Sequence, residues 1–121
     1  MKQNWKPGTM VYPLPAVLVS CGATPDEYNL ITIAWTGTVC TEPPMCYISV
    51  RRERHSYDII KRTGEFVINL TTARLARATD WCGVRSGKDY NKAKETGLTY
   101  GPSKEIKAPI IMESPLSNGR N

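Results

Sequence analysis

The sequence predicts a mainly β fold with short helices, of the α+β class, and three observations carry that prediction. Short apolar runs rich in β-branched residues fill the first half of the chain, each bounded by glycine, proline or asparagine. Short helical patterns with recognisable starts and stops follow in the second half. The composition, 40% apolar and 22% charged over 121 residues, is that of one ordinary globular domain near the smaller end of the range that buries its own core.

Residues 1–13 hold Trp5, Pro7, Gly8, Tyr12 and Pro13 with little periodicity, and read as an extended arm and a turn. Residues 15–22 (PAVLVSCG) form an apolar run ended by glycine, the first strand. Thr24, Pro25, Asp26 and Glu27 are turn material, so a hairpin connects this strand to the next, which begins near Asn29. Leu30, Ile31, Ile33 and Ala34 make that second strand. A turn built on Thr36, Gly37 and Thr38 and a corner at Pro43 and Pro44 follow. Met45, Tyr47, Ile48 and Val50 then make a strand that ends in Arg51.

Residues 56–64 read as a short helix. Ser56 caps its free amides, Asp58 suits its positive end, Lys61 and Arg62 suit its negative end, and Gly64 stops it. Residues 65–70 (EFVINL) are a compact strand, and the sequon at Asn69, Leu70 and Thr71 is a chance match there. Residues 72–82 are rich in helix formers, with Leu75, Ala78, Trp81 and Cys82 along one face. The loop 83–89 superficially matches a phosphate-binding P-loop. Its spacing is one residue short, however, and Asp89 stands where Ser or Thr belongs, so the motif is rejected. A short helix over 90–96 is stopped by Gly97, and a strand starts at Pro109. The tail 116–121 is polar and turn-like. With few strands after the midpoint, it predicts a truncated or frame-shifted form of a longer domain, with an open sheet edge.

The formal charge of +5 raises a nucleic-acid reading, but the basic residues are spread out except for Arg51, Arg52, Arg54 and His55. Few aromatics stand beside that cluster to stack on bases, which favours a small-anion site or a solvated face over nucleic acid. Cys21, Cys40, Cys46 and Cys82 have no C-x-x-C spacing, and with one histidine they imply no metal. Cys21 and Cys46 read as small buried hydrophobes, whereas Cys40 and Cys82 sit beside the loops of interest. No apolar run approaches a membrane span, and the first residues lack a signal-peptide core, so a cytoplasmic protein is expected.

Two strands, a glycine turn, and basic residues at a helix start point to a pocket for a planar molecule bearing phosphate. The blocks that carry more are 29–40 (NLITIAWTGTVC), 43–45 (PPM), 48–51 (ISVR), 54–57 (RHSY), 64–70 (GEFVINL) and 80–87 (DWCGVRSG). In this order they resemble the flavin reductase-like, FMN-binding split-barrel family, in its branch of flavoredoxin and NAD(P)H:FMN oxidoreductases, from about Lys6 to about Pro115. The resemblance implies a six-stranded Greek-key split β-barrel, a homodimer, and FMN near the subunit interface. Members are typically longer by several tens of residues, which supply the last barrel strands, part of the dimer surface and further flavin contacts.

By resemblance, residues 29–38, with Asn29, Trp35, Thr36, Gly37 and Thr38, line the flavin ring. Donors there stabilise the reduced flavin's negative charge and set its potential. The residues alone leave other readings: Trp35 as a core tryptophan, Asn29 and Gly37 as turn residues. Ser49, Arg51, Arg54, Ser56 and Tyr57 are the phosphate candidates, through bidentate arginine contacts and free helix amides; Ser56 can equally be an N-cap, since both roles use one geometry. In relatives Cys82, Gly83, Ser86, Gly87 and Lys92 belong to a loop and helix that close over the flavin. Lys92 is then a phosphate or ring-edge contact, or else a solvent-facing helix lysine. Cys40 is placed beside the ring. The implied activity is electron transfer from NAD(P)H through FMN to flavin or another acceptor, with hydride passing directly to the flavin and no acid–base residue required. The alternatives are an electron carrier of flavoredoxin type and a non-catalytic fragment.

Overall fold

The computed structural model describes residues 1–120, and only the backbone of Arg120 among the last of these. A four-stranded antiparallel sheet forms the centre, in the order β2-β1-β5-β8. Here β1 is Val17–Cys21, β2 is Asn29–Ile33, β5 is Phe66–Asn69 and β8 is Ser117–Arg120. The expected hairpin joins β1 to β2, with Val17 opposite Ile33 and Cys21 opposite Asn29. Its turn is a 3-10 segment, Pro25–Glu27, whose Glu27 carboxylate accepts from the Ala23 amide and pairs with Arg62.

Every residue of β1 is buried, because alternate side chains enter different cores. Leu18 and Leu30 face one way, onto Leu75, Cys82, Leu98 and Ile111. Val17, Val19, Ile31, Ile33 and Ile68 face the other way. Burying a side chain such as Leu18 completely contributes about 1.5–3 kcal/mol, so this strand anchors both layers. The first core is closed by α2 (Ala76–Val84) and α3 (Lys92–Thr96), and by the short pair β6 (Tyr100–Gly101) and β7 (Ile110–Ile111). The predicted face of Leu75, Ala78, Trp81 and Cys82 packs there. The second core is closed by Ile60 of α1 (His55–Thr63) and by Cys46, Ile48 and Val50.

Asn69 fastens four strands together. Its Nδ2 donates to the Leu18 carbonyl at 2.9 Å and to Ser20 Oγ at 3.0 Å, while its Oδ1 accepts from the Ile111 amide and the Ser117 hydroxyl.

Three expectations are corrected. Thr36, Gly37 and Thr38 are not a turn but part of β3 (Thr36–Cys40), which pairs with β4 (Met45–Ile48) as a separate hairpin. The reversal before it lies at Ala34 and Trp35, where the Thr36 amide donates to the Ala34 carbonyl, and the proline corner closes the hairpin's other end. Residues 117–120 of the supposed turn-like tail form β8, which covers the far edge of β5; Asn121 lies outside the described residues. Ser56 does not cap α1. Arg54 holds the N-cap position and Ser56 is fully buried inside the helix, while Gly64 ends it in the left-handed conformation, φ 71°.

Candidate functional site

The outward part of β2 and the bend after it form one wall of a cavity of about 200 Å³, lined by Ile31, Thr32, Ala34, Trp35, Ser49 and Arg51 among others. The bend is held because the Ser49 amide donates to the Trp35 carbonyl at 2.9 Å, tying the end of β4 to the start of β3. Trp35 is 45% exposed, so it is a wall and not a core residue. Arg51 stands at the rim, paired with Glu53 at 2.6 Å. Thr32 is fixed from behind by donating its hydroxyl to the Thr79 carbonyl of α2.

Ile31 and Arg54 also line a second, smaller cavity of about 100 Å³ at the start of α1. Its other walls include Asn29, Ser56, Arg85, Ser86 and Lys92. The first amides of a helix lack intrahelical acceptors and carry the positive end of its dipole. Lys92 is 4% exposed, and its Nζ donates to the Cys82 carbonyl at 2.8 Å. Burial pushes its ammonium below the usual lysine range, and the charge of Arg54 pushes the same way. Three cations thus meet, and the one carboxylate on the described walls, Glu53, is engaged with Arg51. Such an arrangement is stabilised by an anion at its centre.

The niche is tightly built. Asn29 Nδ2 donates to Ser56 Oγ at 2.7 Å, joining the first residue of β2 to α1. Gly87 lies so close to Asn29 and His55 that a Cβ there would sit 2.7 Å from His55 Cδ2 and nearer still to the Asn29 amide. Arg85 is steered by the Trp81 ring, whose centroid is 5.4 Å from its Cζ.

Of the residues singled out from sequence, Trp35, Ser49, Arg51 and Arg54 share the larger cavity, and Asn29, Arg54, Ser56, Ser86 and Lys92 the smaller. The others lie elsewhere. Thr36, Gly37, Thr38 and Cys40 run out along the β3–β4 hairpin, where Thr36 Oγ1 donates to the Tyr47 carbonyl and Gly37 lies under the Tyr47 ring. Tyr57 lines a separate apolar groove with Ile48 and Phe66. Cys82 is buried in the core, where desolvation raises its thiol, and only its carbonyl reaches toward the site, through Lys92. Gly83 packs against Thr32 from behind and lines neither cavity. Arg85 is the residue that sequence reasoning missed. A lone arginine in a loop is unremarked there; its one signal was a place inside the quoted block 80–87.

Residues 9–118 match the family model described as the flavin reductase like domain. The chain is similar to the solved structure of the flavoredoxin of Desulfovibrio vulgaris, at 30% identity and a TM-score of 0.91, over 98% of this chain and 65% of that one. Against the flavoredoxin from Methanosarcina acetivorans the values are 26% and 0.80, over 98% and 63%. A protein of Archaeoglobus fulgidus is 30% identical over 103 residues, 85% of this chain and 57% of that protein. The chain spans 40–59% of the length of the curated relatives it matches.

Proposed function

The chain belongs to the flavin reductase like family and has its split-barrel fold, mostly β with short helices, and from that premise we propose that it binds FMN and passes electrons from NAD(P)H to flavin or another acceptor. One observation carries the reading. A cavity walled by Trp35 and the backbone of β2 adjoins, across Ile31 and Arg54, a niche of three cations at a helix start. A planar ring joined to a phosphate has that shape and charge.

The donor set fits the group. Arg54, Arg85, Lys92 and the Ser56 and Ser86 hydroxyls would hold the phosphate, and Trp35, Thr32 and Ala34 would hold the ring. FMN, when bound, supplies reversible hydride and single-electron exchange. The chain's own part is to position the ring, offer backbone donors along residues 32–35 and screen one face with Trp35. Arg54 beside the ring cavity adds a positive charge that favours a reduced, anionic ring. We further propose a homodimer, which would cover the apolar side chains that the β3–β4 hairpin exposes, Val39, Met45 and Tyr47.

Similarity to flavoredoxins favours a second reading, an electron carrier between proteins. Visible absorption after desalting from FMN tests the binding. A near-stoichiometric flavin band that Trp35→Ala and Arg54→Ala remove supports the site, and a colourless protein sinks it. Steady NADH or NADPH oxidation with free FMN then supports the reductase. Oxidation only in the presence of a protein partner supports the carrier.

A further inference from the structure

We propose that Trp81 is a positioning residue for the phosphate niche. Its ring, braced by Tyr90, holds the Arg85 guanidinium at the niche wall, and this stack sets the preference for a flavin phosphate over riboflavin. The role rests on the flavin reading above.

Arg85 follows the last turn of α2, four positions after Trp81, so the two side chains stand on one side of the helix end. The Arg85 Cζ lies over the Trp81 ring, 5.4 Å from its centroid, within the range at which a ring face attracts a cation. Among the described residues no carboxylate pairs with Arg85, whereas Arg51 and Arg62 hold Glu53 and Glu27. Its N–H donors are therefore left for bidentate contact with an oxyanion. Arg85 is exposed, and an exposed arginine loses rotamer freedom when it grips a ligand. A ring that restricts it beforehand lowers that cost.

The brace is itself fixed. Trp81 packs against the core of Leu18, Leu30 and Leu75. Tyr90 meets it edge-on, with centroids 5.4 Å apart and planes at 73°. The turn that brings Tyr90 there is closed by the Asp89 and Tyr90 amides, which both donate to the Ser86 carbonyl at 3.1 Å. Ser86 lines the niche, so one turn places both a hydroxyl for the phosphate and the support for Arg85. The other two cations are placed by different means: Lys92 by its bond to the Cys82 carbonyl, Arg54 by its N-cap position on α1. Riboflavin has the ring of FMN without the phosphate. What Trp81 does through Arg85 is thus read in FMN and not in riboflavin.

Calorimetric titration of the chain and its variants with FMN, riboflavin and inorganic phosphate tests the role. Trp81→Leu keeps an apolar side chain against the core. It should weaken FMN and phosphate about tenfold and leave riboflavin unchanged. Trp81→Phe keeps a ring face and should recover most of the loss. Arg85→Lys keeps the charge without the planar fork, and should bind FMN as weakly as Arg85→Ala. Both changes at position 85 fall on an exposed side chain, so they decide the matter if Trp81→Leu does not fold. The double variant Trp81→Leu, Arg85→Ala should match Arg85→Ala alone. Equal losses for FMN and riboflavin in Trp81→Leu, or additive losses in the double variant, overturn the proposal and leave Trp81 a support of the fold. So does full FMN affinity in Arg85→Lys, which makes charge alone sufficient. If the wild-type chain binds phosphate but neither flavin, the flavin reading fails while the phosphate titrations still decide the role of Trp81. If it binds none of the three, both fall.

Discussion

Asn29 and Ser56, 27 positions apart, are both buried and joined by a 2.7 Å hydrogen bond from the Asn29 amide to the Ser56 hydroxyl. This bond sets the distance between the start of β2 and the first turn of α1, and so the mouth of the cationic niche. Ser56→Ala removes the acceptor and leaves a buried donor without its partner, a cost of about 1–3 kcal/mol. Urea unfolding should show that loss, and FMN affinity should fall with it. An unchanged midpoint would mean that the amide readily finds another acceptor, and that the bond does not hold the niche.

Gly87→Ala should act on the same place from the opposite side. An added methyl at Gly87 meets the Asn29 amide and, at 2.7 Å, His55 Cδ2. Asn29 is tethered to Ser56 and cannot retreat, so the loop must move instead. Overpacking of this kind costs about 1–3 kcal/mol, and flavin titration should read at least a tenfold weaker Kd. Wild-type affinity in this variant would show that the loop is not part of the site.

Lys92 gives a dependence on pH. Its ammonium is buried, with Arg54 adding repulsion, so its folded pKa lies below the unfolded value near 10.5. The unfolded chain therefore binds more protons in the window between the two values, and stability from this residue rises with pH across it. Relative to Lys92→Met, the wild-type chain should gain unfolding free energy from the lowered pKa up to about 10.5, then level off. The comparison must be made between the two proteins, because Cys21 opposes it. Burial raises that thiol from 9.0 to about 11, and the stability it contributes is lost as pH rises through that higher value. Phosphate affinity should fall over the window in which Lys92 loses its proton. A difference between the proteins that does not vary with pH would mean that Lys92 titrates normally.

The parts of the fold that local chemistry decides were legible in the sequence. The β1–β2 hairpin follows from two apolar runs and an intervening Thr-Pro-Asp-Glu turn. The helices α1, α2 and α3 lie within a few residues of the expected ranges, two of them ended or started as local chemistry requires, by Gly64 and by Asn91. The parts that pairing decides were not. Thr36, Gly37 and Thr38 have the composition of a turn, yet they extend because Tyr47 and Cys46 lie opposite to receive them. Ser56 resembles a cap, but its partner is Asn29, which no local pattern reveals. The basic cluster at Arg51 and Arg54 was visible as charge. That Arg85 and Lys92 join it is a tertiary fact, produced by α2 and α3 packing against β2.

The segment Ser-Asn-Gly-Arg of β8 is the plainest case of such an override, and it carries the last prediction. Its composition has little strand propensity, and it extends because β5 presents an edge: Asn69 lies opposite Ser117 and Phe66 opposite Arg120. Ser117 also donates its hydroxyl to Asn69 Oδ1 at 2.7 Å, the same oxygen that receives the Ile111 amide. A chain ending at Leu116 would lose these contacts and bare the edge of β5. The expected result is a loss of roughly 1–3 kcal/mol by urea unfolding, together with concentration-dependent association through the exposed edge, visible by light scattering. Restoring the backbone alone, with Ser117→Ala in the 121-residue chain, should remove the association and recover most of the stability, leaving only the deficit of one hydrogen bond. If the shortened chain unfolds at the wild-type midpoint and stays monodisperse, β8 is an ornament on the sheet and the edge of β5 is protected by something else.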